Sequence, residues 1–154
     1  MIFVTVGTTD FDALVAAADA LAASTDEPII IQIGHGEVEP RHARWLRFAP
    51  SLDPYYQQAA VVVTHGGLGT VTEVLGRGLR MVGVSNPDRF DRHQDQILQA
   101  FEHGGHLVWC RDLAELPAAI EQARQAHFVP YQPPPSHIHR IIDRFLSDLA
   151  QREA

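Results

Sequence analysis

Short runs of consecutive apolar residues alternate with helix-length amphipathic stretches along most of this chain. Ile2–Val6, Pro28–Ile33, Trp45–Ala49, Ala60–Thr64, Arg80–Ser85 and His106–Cys110 read as strands. Several, such as Ile29-Ile30-Ile31 and Val61-Val62-Val63, are apolar at adjacent positions, the pattern of strands covered on both faces. Between them the spacing predicts a helix over Phe11–Ala23, a helical turn over Pro54–Gln58, and helices over Gly69–Gly78, Arg92–His103 and Leu113–Ala126. In the first of these, Phe11, Leu14, Val15, Ala18, Leu21 and Ala22 share one face. Strand–helix alternation predicts an α/β fold: a Rossmann-like, doubly wound parallel sheet with right-handed crossovers. Ligands of such sheets bind outside the carboxyl ends of the strands.

The pattern changes after residue 129. Pro130-Tyr131-Gln132-Pro133-Pro134-Pro135 cannot form helix or central strand and reads as an extended connector. Ser136 then suits the N-cap of a helix running to about Gln151. Ile138, Ile141, Ile142, Phe145, Leu146 and Leu149 form a continuous stripe along it. By pattern alone the stripe serves equally to pack on its own domain or to dock a partner. The expected organisation is therefore a domain over 1–129, a connector over 130–135 and an amphipathic helix over 136–154.

Composition narrows the functions. With 154 residues, 45% hydrophobic and 20% charged, the chain has room for one well-buried core and no second ordinary domain. A net charge of −7 argues against nucleic-acid binding. All twelve basic residues are Arg, which excludes a Walker lysine, a Schiff base and a Ser–Lys dyad. Cys110 is the only cysteine, so no disulfide or thiolate zinc site is expected within the chain, and a reducing compartment follows. The start lacks the basic region of a signal peptide, and no apolar run approaches the ~20 residues of a membrane span. Any membrane contact is expected to be peripheral.

Candidate chemistry gathers in His65-Gly66-Gly67-Leu68-Gly69-Thr70-Val71-Thr72-Glu73, which follows a buried strand and opens a helix. Glycines there allow close backbone approach, and a helix N-terminus presents free N–H groups to phosphate. The dinucleotide fingerprint is incomplete, because Thr72 stands where a third glycine belongs, which disfavours an NAD-dependent oxidoreductase. Glu73 is placed in the first helical turn, where the dipole alone would favour it; a carboxylate there can also accept both hydroxyls of a ribose. Further on, Ser85-Asn86-Pro87 ends a strand and a polar loop leads to His93-Gln94-Asp95, side chains suited to sugar hydroxyls or simply to a solvated loop.

Together, Gly66-Gly67-x-Gly69-Thr70-x-x-Glu73, Gly78 and His93-Gln94 resemble the donor-binding half of GT-B glycosyltransferases. The likeness is strongest to the small-subunit family of the split dolichol-linked N-acetylglucosaminyltransferase and its bacterial exopolysaccharide counterparts. Phe3-Val4-Thr5-Val6-Gly7-Thr8-Thr9-x-Phe11-Asp12 and Gly105-His106-Leu107 are similar to that family too, so the likeness covers about residues 1–126. It implies that Gly7, Thr8, Thr9, His65, Gly66, Gly67, Gly69 and Thr70 hold the diphosphate of a UDP-sugar. Glu73 would take the ribose, backbone near Phe48 the uracil, and Asn86, His93 and Gln94 the sugar. The family inverts the anomeric centre and needs neither metal nor other cofactor. A membrane-anchored acceptor-binding subunit would complete the enzyme, docked through Ile138, Ile141, Ile142, Phe145 and Leu149. The chain would then be cytoplasmic and recruited to the membrane's cytoplasmic face, its transfer going to a lipid-linked saccharide in polysaccharide or glycan biosynthesis. The sugar stays open, with N-acetylglucosamine and glucuronic acid foremost. No general base is assigned: Asp10, Asp12 and His65 are all open. A nucleotide-binding regulatory module without turnover is the alternative, and the isolated chain is a possible homodimer.

Other clusters read as structural. Arg41, His42, Arg44, Trp45 and Arg47 suit the solvated flank of an edge strand better than a lipid-binding patch. His137 and His139, two apart on a helix, cannot chelate one metal together. Cys110 reads as a buried strand end.

Overall fold

A computed structural model describes residues 1–87 and 92–133. Six parallel strands form one sheet: β1 (Ile2–Thr5), β2 (Ile29–Gln32), β3 (Arg44–Leu46), β4 (Val61–His65), β5 (Met81–Val84) and β6 (Val108–Cys110). The helices are α1 (Asp12–Ala22), α2 (Asp53–Gln58), α3 (Leu68–Gly76), α4 (His93–His103) and α5 (Leu116–Gln125). Spatial order is β3-β2-β1-β4-β5-β6, so the chain winds outward from β1, returns to the centre and winds outward again through β4. Neighbouring loops therefore leave the β1 and β4 carboxyl ends in opposite directions, which opens a crevice between them.

The period of two along each strand divides the core. Val4, Val6, Ile31, Val63 and Val82 face α1 and α5, whereas Phe3, Val62 and Met81 face α2, α3 and α4. Both faces are covered, which is why the strands read as unbroken apolar runs. Their carboxyl ends break that rule. Thr5 lies in register with Gln32 on one side and Thr64 on the other, a buried polar row across the three central strands.

Within the described residues the expected elements all form, with shifted bounds. The third strand is Arg44–Leu46 rather than Trp45–Ala49. Its ladder ends because Ile33 N–H donates to the Leu46 carbonyl (2.9 Å) and Gly34 then turns at φ 55°, leaving Phe48 and Ala49 no partner strand. The stretch 113–126 divides into a 3₁₀ turn at Leu113–Glu115 and α5, with Pro117 in the first turn of the helix. β3 is an edge strand with Arg44 and Trp45 exposed, as its charges implied. Arg47 does more than solvate that edge: its guanidinium donates to the Gly36 carbonyl (2.8 Å) and bridges to Glu39. Cys110 closes β6, buried, and burial raises its thiol pKa.

The start of the connector is packed down. Val129 N–H donates to the Gly105 carbonyl, and the Tyr131 ring meets Phe101 and His106 edge-on at 5.3 and 5.7 Å. The helix expected over 136–154, with Ile138, Ile141, Ile142, Phe145 and Leu149, lies outside the described residues, as do His137 and His139. No helix among the described residues is long and apolar enough to cross a membrane.

Candidate functional site

The crevice at the β1–β4 switch point holds a cavity of about 500 Å³. Gly7 and Thr8 enter from the β1 loop, Gly69, Thr70 and Glu73 from α3, and Phe48, Ala49 and Leu52 from the segment after β3. Thr5, Gln32 and Tyr56 also line it. Six of the residues singled out in the sequence thus meet in one place.

Glycine explains much of the local geometry. Gly7 turns the chain at φ 65° directly after β1, and its N–H donates back to the Thr5 hydroxyl (3.0 Å). In the β4–α3 turn the glycines divide into two kinds. A Cβ on Gly66 would meet the Gln94 backbone carbonyl oxygen at 2.9 Å, and one on Gly67 would meet His65 Nε2 at 2.3 Å. Those two serve packing: Gly66 lets the start of α4 close on the turn, and Gly67 leaves room for the buried His65 ring. Among the described residues, a Cβ on Gly69 would meet nothing within 4 Å. Those residues give no steric reason for glycine there, although glycine costs a helix about 1 kcal/mol relative to alanine.

α3 starts at Leu68, with Gly67 as N-cap and no side-chain cap. The N–H groups of its first turn therefore have no intrahelical acceptor. Glu73 is the sixth residue of this helix, in its second turn rather than the expected first, and the first turn contains no acidic residue. The dipole thus contributes little to its position, because that effect fades within the first turn. Instead Arg77 Nη2 donates to Glu73 Oε1 (3.2 Å) and to Asp53 Oδ1 (2.7 Å), while its guanidinium lies 4.9 Å above the Tyr56 ring. All three charged groups of this network remain exposed.

The other expected residues have different surroundings. The Thr9 hydroxyl donates to the Val6 carbonyl (2.8 Å), and its own carbonyl accepts from His35 N–H (2.9 Å), so Thr9 braces the β1 loop against the β2 loop. His65 is buried, with Nδ1 3.4 Å from the Thr64 hydroxyl. Phe48 is half exposed at the cavity mouth, its ring 5.0 Å from His35. Asn86 and Gln94 line a second cavity, of about 590 Å³, at the carboxyl ends of β5 and β6 with Ser85, Asp95, Trp109 and Arg111. There Gln94 Oε1 accepts from Asn86 N–H (3.0 Å), and the Asn86 amide donates to the Asp10 carbonyl (3.2 Å). His93 is the first residue of α4 and is exposed. Among the described residues, no three His, Cys, Asp or Glu side chains gather as a metal site.

Sequence reasoning passed over Gln32, Tyr56, Trp109 and Arg111. One signal was available: a polar residue ending an otherwise apolar buried strand, as in Ile29-Ile30-Ile31-Gln32, sits where this fold places ligands. Nothing local marked Tyr56, in a six-residue helix.

This arrangement matches a known family. Residues 1–134 fit the glycosyltransferase family 28 C-terminal domain. The chain is 35% identical over 121 residues to the UDP-N-acetylglucosamine transferase subunit ALG13 of Mus musculus, covering 70% of this chain and 10% of that protein. The Homo sapiens protein of the same name is 33% identical over 122 residues, 71% of this chain and 11% of its own length. The chain therefore spans only about a tenth of these two relatives. Among solved structures, the solution structure of ALG13 superposes with a TM-score of 0.57 at 18% identity, over 94% of each chain. MurG of Acinetobacter baumannii gives 0.57 at 23% identity, over 80% of this chain and 38% of that one. Fold, switch-point cavity and family match agree: the chain belongs to the glycosyltransferase family 28 C-terminal domain family, the Rossmann-like donor-binding half of GT-B glycosyltransferases.

Proposed function

We propose that this chain is the donor-binding catalytic subunit of a two-component inverting glycosyltransferase. It takes a sugar, N-acetylglucosamine or glucuronic acid foremost, from a UDP-sugar to a lipid-linked saccharide in polysaccharide or glycan biosynthesis. The observation that carries this reading is Gly69. A glycine in the first turn of an uncapped helix, with open space where its Cβ would be, suits a ligand that must approach the backbone closely.

In this reading the diphosphate lies along Gly7, Thr8, Gly69 and Thr70, with Thr9, His65, Gly66 and Gly67 shaping the two loops around it. Glu73 accepts the ribose hydroxyls, and backbone near Phe48 takes the uracil. Asn86, His93 and Gln94 meet the sugar. The acceptor hydroxyl attacks C1, the C1–oxygen bond to UDP breaks, and the α3 N–H groups stabilise the charge gathering on the departing diphosphate. The chemistry needs no metal or other cofactor, because that charge meets fixed dipoles instead. The name of the relatives, a transferase subunit, supports a partner that supplies the acceptor side. A membrane-anchored partner would dock on the amphipathic stripe that the sequence carries over 136–154 and recruit the chain to the cytoplasmic face of a membrane.

Calorimetric titration with UDP, UDP-N-acetylglucosamine, UDP-glucuronic acid and NADH tests the proposal. Saturable binding of one UDP-sugar above the rest supports it and identifies the donor. NADH binding more tightly than UDP overturns it. If all four are silent, the titration is repeated with the partner co-expressed, and silence there overturns it too.

A further inference from the structure

At the inner wall of the switch-point cavity the polar groups do not balance. Tyr56 is 2% exposed and lines the cavity, and its hydroxyl has no hydrogen-bond partner among the described residues. A buried hydroxyl left unpaired costs about 1–3 kcal/mol, so it calls for an explanation. The ring is held firmly, edge-on to Phe3 at 5.5 Å and beneath the Arg77 guanidinium, so the hydroxyl cannot swing out to find water. Burial, then the nearby Glu73 carboxylate, raises its pKa to about 12, so it keeps its proton at any physiological pH.

Gln32, 4% exposed on the same wall, adds a second donor. The Thr5 hydroxyl already accepts from Gly7 N–H, so its own proton goes to Gln32 Oε1 (2.5 Å). That bond occupies the amide oxygen of Gln32 and leaves its NH₂ group as the donor. Phenol and amide together suit an acceptor-rich ligand, such as the carbonyl and ring oxygens of a nucleoside.

We propose that the Tyr56 hydroxyl, seconded by the Gln32 amide, donates a hydrogen bond to the nucleoside of the bound nucleotide. This rests on the nucleotide reading above and adds a contact deeper than Phe48 and Glu73. The Tyr56 hydroxyl, unlike its packed ring, is thereby an affinity determinant that stabilises nothing until the ligand brings its acceptor.

The test pairs binding with stability in the full chain, comparing wild type with Tyr56→Phe. Calorimetry with UDP and UMP should show about a tenfold loss for both ligands, the value of one hydrogen bond left unmade. The melting temperature of the ligand-free variant should equal or exceed that of wild type, because the variant removes an unpaired buried hydroxyl. Unchanged affinity for both ligands overturns the inference and leaves the nucleotide reading standing. A loss seen with UDP but not UMP overturns it too, since the contact would then be to the diphosphate. So does a fall in melting temperature, which would mean that the hydroxyl already has a structural partner. A wild-type chain that binds neither ligand, alone or with its partner, defeats the nucleotide reading itself, and this inference with it.

Discussion

Two cavities of similar size lie on the carboxyl edge of the sheet, one at the β1–β4 switch point and one beyond β5 and β6. In the second, the strong polar groups have already found each other. Arg111 forms a two-pronged pair with Glu102 and lies 3.9 Å from the Trp109 ring, Arg92 pairs with Asp95, and the Trp109 indole donates to Ser85. The first contains a glycine with no steric cause, an uncapped helix start and a buried hydroxyl without a partner among the described residues. Its charged pair, Glu73 with Arg77, is exposed and therefore weak. In the first cavity a nucleotide completes unfinished bonds, whereas the sugar set by the proposed reading on Asn86 and Gln94 at the second meets groups that are already hydrogen-bonded. Volume alone would not separate the two; hydrogen-bond accounting does.

The most severe test of this contrast is Glu73→Ala. Two hydrogen bonds from a ribose to a carboxylate are worth roughly 3 kcal/mol, so UDP affinity should fall about 100-fold in calorimetry. Melting should barely move, since only an exposed pair is lost. Equal affinity for wild type and variant would remove Glu73 from the site and weaken the case for the first cavity.

Asp19 probes the wall rather than the ligand groups. Its carboxylate accepts from the N–H groups of Arg41, His42 and Ala43 at 2.7–2.9 Å, holding the turn that leads into β3 and Phe48. Burial pushes its pKa up, but the three donors outweigh burial and the net shift is below 3.8. A depressed folded-state pKa stabilises above the unfolded value and loses that contribution as pH falls through the folded one. Asp19→Ala should therefore cost roughly 1–2 kcal/mol at neutral pH in urea unfolding. Wild type and variant should converge as the pH drops below 3.8. A gap that persists in acid would show that the carboxylate's charge is not what holds the turn.

Gly69→Ala separates packing glycines from ligand glycines. Helix propensity predicts a gain of up to about 1 kcal/mol in stability. A methyl group facing the cavity should at the same time lower UDP affinity about tenfold. Gly67→Ala should do the opposite to stability, because its Cβ would strike the His65 ring. Stability and affinity rising together in Gly69→Ala would mean that the space beside it serves no ligand. The smallest expected effect is Arg111→Ala: it opens the second cavity's paired network and should leave the UDP affinity of the first unchanged. A clear loss there would mean that the second cavity holds part of UDP itself and not only the transferred sugar.

Legibility followed the range of the forces involved. The six strands and five helices could be read from the chain because each depends on a local period and on burial of the residues that carry it. The β3 boundary was misjudged because it is set by Ile33 and Gly34, more than ten residues away on the neighbouring strand. Glu73 falls in the second helical turn rather than the first because the helix opens at Leu68, one residue before the start that the glycine run suggests. Gly66 and Gly67 looked the same as Gly69 in sequence. Only the positions of Gln94 and His65 tell them apart.

The chain by itself therefore determined the parallel α/β fold, the glycine turn and the family likeness, since periodicity and motif spacing act over neighbouring residues. The tertiary structure alone decided that Gln32 and Tyr56 face the same cavity as Glu73, that Thr9 is committed to bracing loops, and that the Arg111 cation is already paired. Whether a polar group is satisfied depends on partners distant in sequence, and those partners are chosen only when the sheet assembles.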